Sequence, residues 1–178
     1  MPESRHSPRG VDAAADAGPD DQGDDHRADR TPGTREAVPA ASSTAARNRM
    51  RATKRRDTKP ELALRRELHR RGRRYFVDRA PLPGMRRRAD LLFPRQKIAV
   101  YVDGCFWHGC PAHGTIPKSN TAWWRAKLEA NQARDRDTDQ RLHSAGWTSV
   151  RVWEHLPSEQ GADIVESQLE AALPRSTT

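Results

Sequence analysis

Residues 89–113 read ADLLFPRQKIAVYVDGCFWHGCPAH, and the organisation of the whole domain can be worked out from them. Ala89–Phe93 and Lys97–Val102 are apolar runs of strand length, and Pro94-Arg95-Gln96 between them predicts a β-hairpin. The following residues, 104–117, are irregular and contain Cys, His and aromatic side chains. The sequence therefore predicts a hairpin whose second strand leads into a loop of potential metal ligands.

Two aspartates flank the predicted hairpin and are candidates for a magnesium site. A hairpin centred near residues 95–96 puts Asp90 opposite Tyr101. Since side chains alternate along a strand, Asp103 points the same way as Tyr101. It is therefore a diagonal neighbour of Asp90, with the two Cβ atoms about 7 Å apart. Carboxylates so placed repel each other without a cation, and Mg²⁺ prefers oxygen ligands. A register slip of one residue would separate the pair, and the alternative is two strand-end surface aspartates.

Three residues of the loop, Cys105, Cys110 and His113, follow the pattern C-x4-C-x2-H. In a reducing compartment this spacing favours tetrahedral Zn²⁺ over a disulfide. We expect His155 to be the fourth ligand, because it follows a strand that should pair into the same sheet. His108 lies between the cysteines and is better placed for catalysis. The alternative is two free buried cysteines.

The loop also carries a candidate catalytic histidine and several aromatic residues. Near Mg²⁺, His108 could act as general base or general acid; alternatively it only supports a ligand or lies at the surface. Phe106 and Trp107 lie in a loop, which argues against core roles for both. Together with Trp123 and Trp124 they could stack on or wedge between bases. A structural role remains open for one of the adjacent tryptophans.

A long helix is predicted from Asn120 to Ala145, ended by Gly146. Helical spacing puts the following residues on one face: Trp124, Leu128, Asn131, Asp135 and Leu142. Asn131 and Asp135 interrupt an otherwise apolar stripe, and buried polar groups need partners. Either they are satisfied structurally or they face the active site.

The remaining elements complete a mixed α/β pattern. Thr58-Lys59-Pro60-Glu61 is a capping box that begins a helix, and Gly72 ends it. The other predicted segments are a strand at Tyr75–Val77, a turn at Leu82–Gly84, a strand at Thr148–Trp153 and a helix at Ser158–Leu173. The order is helix, three strands, helix, strand, helix.

Composition divides the 178 residues into a tail, an arm and one domain. Residues 1–46 hold five basic and nine acidic side chains and almost no large apolar residues, which predicts disorder. Residues 47–59 form a basic arm suited to clamping DNA, and 60–175 form the domain. From residue 47 onward 27 basic face 15 acidic side chains, which suits a polyanion, although an arginine-rich proteome would give the same bias.

No stretch approaches a membrane span of about 20 apolar residues, and the N-terminus has no signal-peptide core. We therefore expect a cytoplasmic protein with no membrane partner.

Several motifs together resemble the very short patch repair endonucleases over residues 47–157. They are Leu82-Pro83-Gly84, Ala89-Asp90, the string DGCFWHGC from Asp103, Trp123-Trp124, Asn131–Asp135, Gly146-Trp147 and Val152-Trp153-Glu154. The resemblance implies a core like that of type II restriction endonucleases. It also implies nicking of double-stranded DNA 5′ of the thymine in a T:G mismatch that arises from deaminated 5-methylcytosine. It suggests mismatch-repair proteins as partners, and we expect a monomer.

The resemblance also assigns roles to residues of this chain. Asp90 matches the metal-binding aspartate and His108 the catalytic histidine. Glu61 and Asp135 match acidic residues of the active site, although the capping role of Glu61 competes with this. The matching DNA-contacting positions are the aromatic residues Phe106, Trp107 and Trp124 and the arm around Met50, to which we add Lys127 and Asn131.

Two departures from the family pattern stand out. The best-known members have histidine where this chain has Asp103, which therefore either binds Mg²⁺ directly or changes which group donates the proton. The zinc ligands also differ in type, although two thiolates and two imidazoles still form a competent set.

The sequence thus predicts a Mg²⁺-dependent endonuclease with a structural zinc. Mg²⁺ is held by Asp90 and Asp103, and zinc is bound by Cys105, Cys110, His113 and His155. The alternatives are a restriction-associated endonuclease of the same fold, acting on matched or modified DNA, and a non-catalytic zinc-dependent DNA-binding module.

Overall fold

The computed structural model describes residues 56–172 and four isolated positions: Pro39, Ser43, Thr44 and Asn48. Nearly all of the predicted tail and arm, including Met50, lies outside the described residues, as does Leu173.

Helix α1 spans Lys59–Arg70 and begins at the predicted capping box. Thr58 is the N-cap, in an extended conformation. Gly72 follows the helix with φ +80°, a left-handed conformation that glycine adopts at no steric cost. Leu64 and Leu68 turn inward and are buried. The predicted start and stop of this helix are therefore confirmed.

Four strands form one mixed sheet in the order β1-β2-β3-β4. Their bounds are β1 Phe76–Arg79, β2 Ala89–Phe93, β3 Ile98–Asp103 and β4 Thr148–Trp153. The first three strands pair antiparallel, and β3 pairs parallel with β4. The predicted order of elements is confirmed.

Two strand boundaries differ from the prediction. The first strand begins at Phe76, one residue later than expected, and continues to Arg79. The third begins at Ile98, because Lys97 takes φ +53° and its N–H closes the hairpin turn on the Pro94 carbonyl at 3.2 Å. A residue with that backbone conformation cannot continue a strand.

The hairpin register is the predicted one. Leu91 pairs with Val100 and Leu92 with Ala99, so Asp90 continues the ladder opposite Tyr101. Asp90, Tyr101 and Leu92 therefore face one side of the sheet, and Leu91 and Val100 face the other.

Helix α2 spans Thr121–Ser144 and helix α3 spans Ser158–Ala171, and they cover opposite faces of the sheet. One core, between the sheet, α1 and α3, contains Leu64, Leu68, Leu91, Phe93, Ile98, Val100, Val150, Val152, Ala162, Val165 and Leu169. The other, under α2, contains Ala89, Leu92, Ala99 and Leu142. The fold is therefore a four-stranded mixed sheet between helices. Among the described residues, no helix combines the length and apolarity needed to cross a bilayer.

Candidate active site and metal centre

The site is built where the parallel strands β3 and β4 end, since both deliver their last residues to the same edge of the sheet. The loop Gly104–Cys110 leaves β3 there and is closed by the Cys110 N–H, which donates to the Cys105 carbonyl at 2.9 Å. Glu154, just past β4, donates its N–H to the Asp103 carbonyl at 3.0 Å. Its carboxylate accepts the Cys105 N–H at 2.6 Å. The loop is thereby fixed to both strand ends.

Four side chains gather around this loop and form a cluster able to hold a metal ion: Cys105, Cys110, His113 and His155. Their ligand atoms all lie within 4.8 Å of one another. His155 Nδ1 is 3.1 Å from Cys105 Sγ and 3.7 Å from Cys110 Sγ, and His113 Nδ1 is 3.9 Å from Cys110 Sγ. Ligand atoms of a tetrahedral zinc site are about 3.3–3.8 Å apart. The spacing and the soft donors fit such an ion, and we call this set the Cys/His cluster.

The structure brings the four predicted ligands together, including His155 from beyond β4. His155 also stacks on Trp153, with ring centroids 6.4 Å apart. His108 is directed elsewhere, to carboxylates on α2 and β3.

Asp90 lies near the start of β2, and its carboxylate accepts a backbone hydrogen bond from the neighbouring strand β3. Its Oδ2 accepts the Val102 N–H at 2.7 Å. Burial raises the pKa of Asp90 to about 6; the bond from Val102 opposes this rise, and the charge of Glu61 adds to it. A partly desolvated carboxylate of this kind is stabilised by a nearby cation.

Glu61 of α1 is a cap and a neighbour of Asp90 at once. Its carboxylate accepts the Thr58 hydroxyl at 2.9 Å, the Asp57 N–H at 2.9 Å and Arg65 Nη2 at 3.1 Å. It is buried, and its charge still acts on Asp90. Glu61 therefore caps α1 while its carboxylate still acts electrostatically on Asp90, and its role in the active site stays a prediction.

Asp103, the other predicted magnesium ligand, has a cationic partner from the protein itself. Both of its oxygens accept from Arg151 Nη1 at 2.9 Å. Burial raises the pKa of Asp103, and the charges of Arg151 and His108 oppose that rise. The argument that the two aspartates need a shared cation is therefore corrected for Asp103, since Arg151 already neutralises it.

His108 is held by Asp135 of α2. Its Nδ1 is 2.7 Å from Asp135 Oδ2 and 3.6 Å from Asp103 Oδ1. Burial lowers the pKa of His108, but the hydrogen bond to Asp135 and the two carboxylate charges outweigh it, so the pKa is raised. For Asp135, the bond to His108 and nearby cations outweigh burial, and its pKa is lowered. Of the two alternatives for the polar residues on this face of α2, Asp135 therefore takes the one in which it faces the candidate active site.

Asn131 matches the structural alternative, because its side-chain amide forms hydrogen bonds within the protein. Its Nδ2 donates to the Trp107 carbonyl at 2.8 Å, and its Oδ1 accepts from Arg134. Gln132 Nε2 adds a bond to the His108 carbonyl at 3.4 Å. Lys127 lies exposed one turn earlier on α2. Two amides of α2 therefore hold the loop from behind.

Four half-buried aromatic side chains form one aromatic cluster: Phe106, Trp107, Trp123 and Trp124. Ring centroids are 5.0 Å apart for Phe106 and Trp107, 5.2 Å for Phe106 and Trp124, and 4.8 Å for the adjacent tryptophans. The loop and the beginning of α2 thus present the predicted DNA-contacting aromatics together.

Sequence reasoning missed Arg151 and Glu154 as parts of the site. Arg151 pairs in register with Tyr101, which puts it on the face of the sheet that carries Asp103. A basic residue between the buried Val150 and Val152 was the available signal, because a charge inside a strand needs a partner.

Comparison with known proteins identifies the family of this chain. A family model described as DNA mismatch endonuclease Vsr matches residues 42–113. The type II nicking enzyme V.NaeI of Lentzea aerocolonigenes is 44% identical over 120 residues, 66% of this chain and 72% of that protein. The type II nicking enzyme V.XorIIP of Xanthomonas oryzae pv. oryzae is 38% identical over 128 residues, 71% of this chain and 90% of that protein.

The chain belongs to the Vsr family of DNA endonucleases. A more distant relative is the DNA mismatch endonuclease Vsr of Escherichia coli, 35% identical over 106 residues, 59% of this chain and 66% of that protein. The resemblance to this family is confirmed. As a Vsr-family endonuclease the chain acts on DNA.

Proposed function

We propose that this Vsr-family endonuclease nicks one strand of duplex DNA 5′ of the thymine in a T:G mismatch. The observation that carries the proposal is His108, which is oriented by Asp135, lies beside the buried Asp103 and is within two residues of Phe106 and Trp107. The same loop would thus bring a proton-transfer group and stacking side chains to one place on the DNA. The family description, DNA mismatch endonuclease, supports the mismatch as target.

Asp90 is the residue we assign to Mg²⁺. One of its oxygens accepts the Val102 N–H. Desolvation disfavours the charged carboxylate and raises its pKa, and a bound cation would offset that cost. When bound, Mg²⁺ would polarise the scissile phosphate and favour attack by water. Asp103 stays a candidate ligand, although both its oxygens already accept from Arg151.

His108 moves the proton in this proposal. With Nδ1 bonded to Asp135, the proton is exchanged at Nε2. The neutral ring would take a proton from the attacking water, and the protonated ring would give one to the leaving oxygen. Such a group typically contributes about 10²–10⁴-fold to the rate.

We assign Zn²⁺ to the Cys/His cluster, in a structural role. Two thiolates and two imidazoles leave no open position in a tetrahedral site, as structural zinc sites require. Cys105 and Cys110 bracket the residues that act on DNA, so binding there would fix Phe106, Trp107 and His108.

The aromatic cluster and the basic surface make the DNA interface in our proposal. Half-buried rings can stack on an unpaired or mispaired base, which costs less to unstack than a paired one. The excess of basic residues after residue 46 supplies phosphate contacts, to which we assign Lys127.

The second candidate is a restriction-associated endonuclease acting on matched or modified DNA. It is favoured by the names of the relatives at 44% and 38% identity, both type II nicking enzymes. Nicking of T:G and T:A duplexes with the same set of flanking sequences separates the two. Rapid nicking of T:G alone supports the mismatch; equal nicking of both duplexes contradicts it.

Other expectations stay predictions. They are the restriction-endonuclease-like core, the division at residues 46 and 59, the cytoplasmic location, the monomeric state and the mismatch-repair partners.

A further inference from the structure

Arg151 lies at the centre of the polar groups around His108. Its Nη1 donates to both oxygens of Asp103, its Nη2 is 3.4 Å from Asp135 Oδ1, and its Nε is 3.1 Å from Asp139 Oδ2. We call His108 with these four residues the His108 network. One guanidinium thereby joins the end of β3 to two successive turns of α2.

The guanidinium is also held in place by its own surroundings. Its Cζ is 5.2 Å from the centroid of the Tyr101 ring, within cation–π distance. The side chain of Arg151 is 24% exposed and that of Asp103 only 6% exposed. The Arg151 Nη1, Nη2 and Nε all donate to carboxylates or to the Asp135 carbonyl, so the guanidinium is not free to bind a phosphate.

We infer that Arg151 is a positioning residue of the nuclease site, which fixes Asp103 and Asp135 so that Asp135 holds the His108 ring in its working orientation. This deepens and rests on the proposed function. Arg151 would not touch the substrate. It acts through Asp135, and by neutralising Asp103 it leaves Asp90 as the carboxylate for the metal.

Arg71 provides a matched control, because it is also a largely buried arginine that pairs with several carboxylates, but away from the site. It is 20% exposed and bonds three carboxylates, Glu67, Asp163 and Glu166, joining α1 to α3. A loss caused only by breaking an arginine–carboxylate hub should therefore be similar in R71Q and R151Q.

The test compares full-length metal-loaded wild type, R151Q, R151K and R71Q on a T:G duplex. We expect R151Q to lower the single-turnover nicking rate about 10²-fold, the cost of a misplaced catalytic group, with less than a threefold change in duplex Kd. R151K should recover part of the rate because it keeps a charge between Asp103 and Asp135. R71Q should nick at the wild-type rate.

A second readout does not depend on nicking. In protein with ¹⁵N-labelled histidine rings, the Nδ1–H of His108, assigned with H108Q, should give an exchange-protected signal in wild type and R71Q. It should be lost in R151Q, and in D103N/R151Q, where no buried charge is left unpaired. Should wild type nick no duplex, the proposed function fails, and this signal alone decides the role of Arg151.

Three outcomes would overturn the inference. One is R151Q with an intact His108 signal. Another is equal losses of rate in R151Q and R71Q. The third is recovery of the signal in D103N/R151Q, which would mean that Arg151 only balances the charge of Asp103.

Discussion

The Cys/His cluster and the His108 network share one loop, and they are assembled in different ways. The cluster takes three of its four ligands from nine consecutive residues, 105–113, and only His155 from elsewhere. The network takes its members from β3, the loop, α2 and β4. The cluster therefore depends on short-range chain geometry, whereas the network depends on how α2 docks against the sheet.

This contrast predicts that the two regions can be damaged separately. Loss of a cluster ligand should release a metal and loosen the loop, whereas loss of a network residue should leave that metal bound. The following variants test the separation, from the largest expected effect to the smallest.

D90N should have the largest effect on nicking, a loss of about 10³-fold or more, because Asp90 is our proposed ligand for Mg²⁺. The amide oxygen can still accept the Val102 N–H, so the fold should persist. Nicking of a T:G duplex at increasing Mg²⁺ concentration measures the loss, with D163N on α3 as control. Undiminished nicking by D90N would contradict the assignment.

H113A should affect the cluster most. Losing one of four ligands should let a chelator remove zinc, lower the Tm by about 10 °C, and reduce nicking about 10²-fold through the loosened loop. Zinc per chain, the Tm and the nicking rate are measured together.

H143A is the matched control for H113A, since His143 is an exposed histidine of α2 outside the cluster. D135N, which changes a residue of the His108 network, should retain its zinc. A D135N protein that loses zinc as readily as H113A would show that the two regions are not separate.

D135N should reduce nicking about 10²-fold while zinc stays bound. An asparagine side chain can present either an acceptor or a donor to His108 Nδ1, so the ring loses its fixed tautomer. The nicking rate and zinc content are measured beside D137N, a carboxylate of the same helix that pairs with Arg87 and Arg141 instead. Equal rates for D135N and D137N would remove Asp135 from the site.

How far each region could be predicted follows from the same contrast. C-x4-C-x2-H is visible in the sequence, and His155 follows once β4 is placed beside β3. The Asp90 register also followed from the hairpin, because the turn fixes which residues oppose each other. The pairing of Arg151 with Asp103 needs the parallel β3–β4 register, which is set by packing across a long helix. The contacts of Asn131 and Asp135 likewise depend on the docking of α2.

W124A should weaken DNA binding more than chemistry. Removing one stacking ring typically costs about 1–3 kcal/mol, so we expect the Kd for a T:G duplex to rise about tenfold. The single-turnover rate at saturating protein should change less than threefold, since Trp124 lies against Phe106 and Trp107 in the aromatic cluster and is not one of the residues of the His108 network. W147A, a half-buried tryptophan of the core under α2, controls for general destabilisation. A Kd rise that is the same in W147A would contradict the stacking role.

G109A should have the smallest effect, and it probes the link between the two regions. Gly109 has φ +66°, where an alanine costs about 1–2 kcal/mol, so the Tm should fall by about 3–8 °C. Its added Cβ would also collide with the Gln132 side-chain amide, which donates to the His108 carbonyl.

In G109A/Q132A that collision is gone and only the backbone strain remains. If nicking falls a few-fold in G109A and recovers in G109A/Q132A while the Tm stays low, the loop transmits strain to His108 through Gln132. If the rate stays low in the double variant, the strain reaches His108 through the backbone, and the cluster and the network are coupled more tightly than their separate origins suggest.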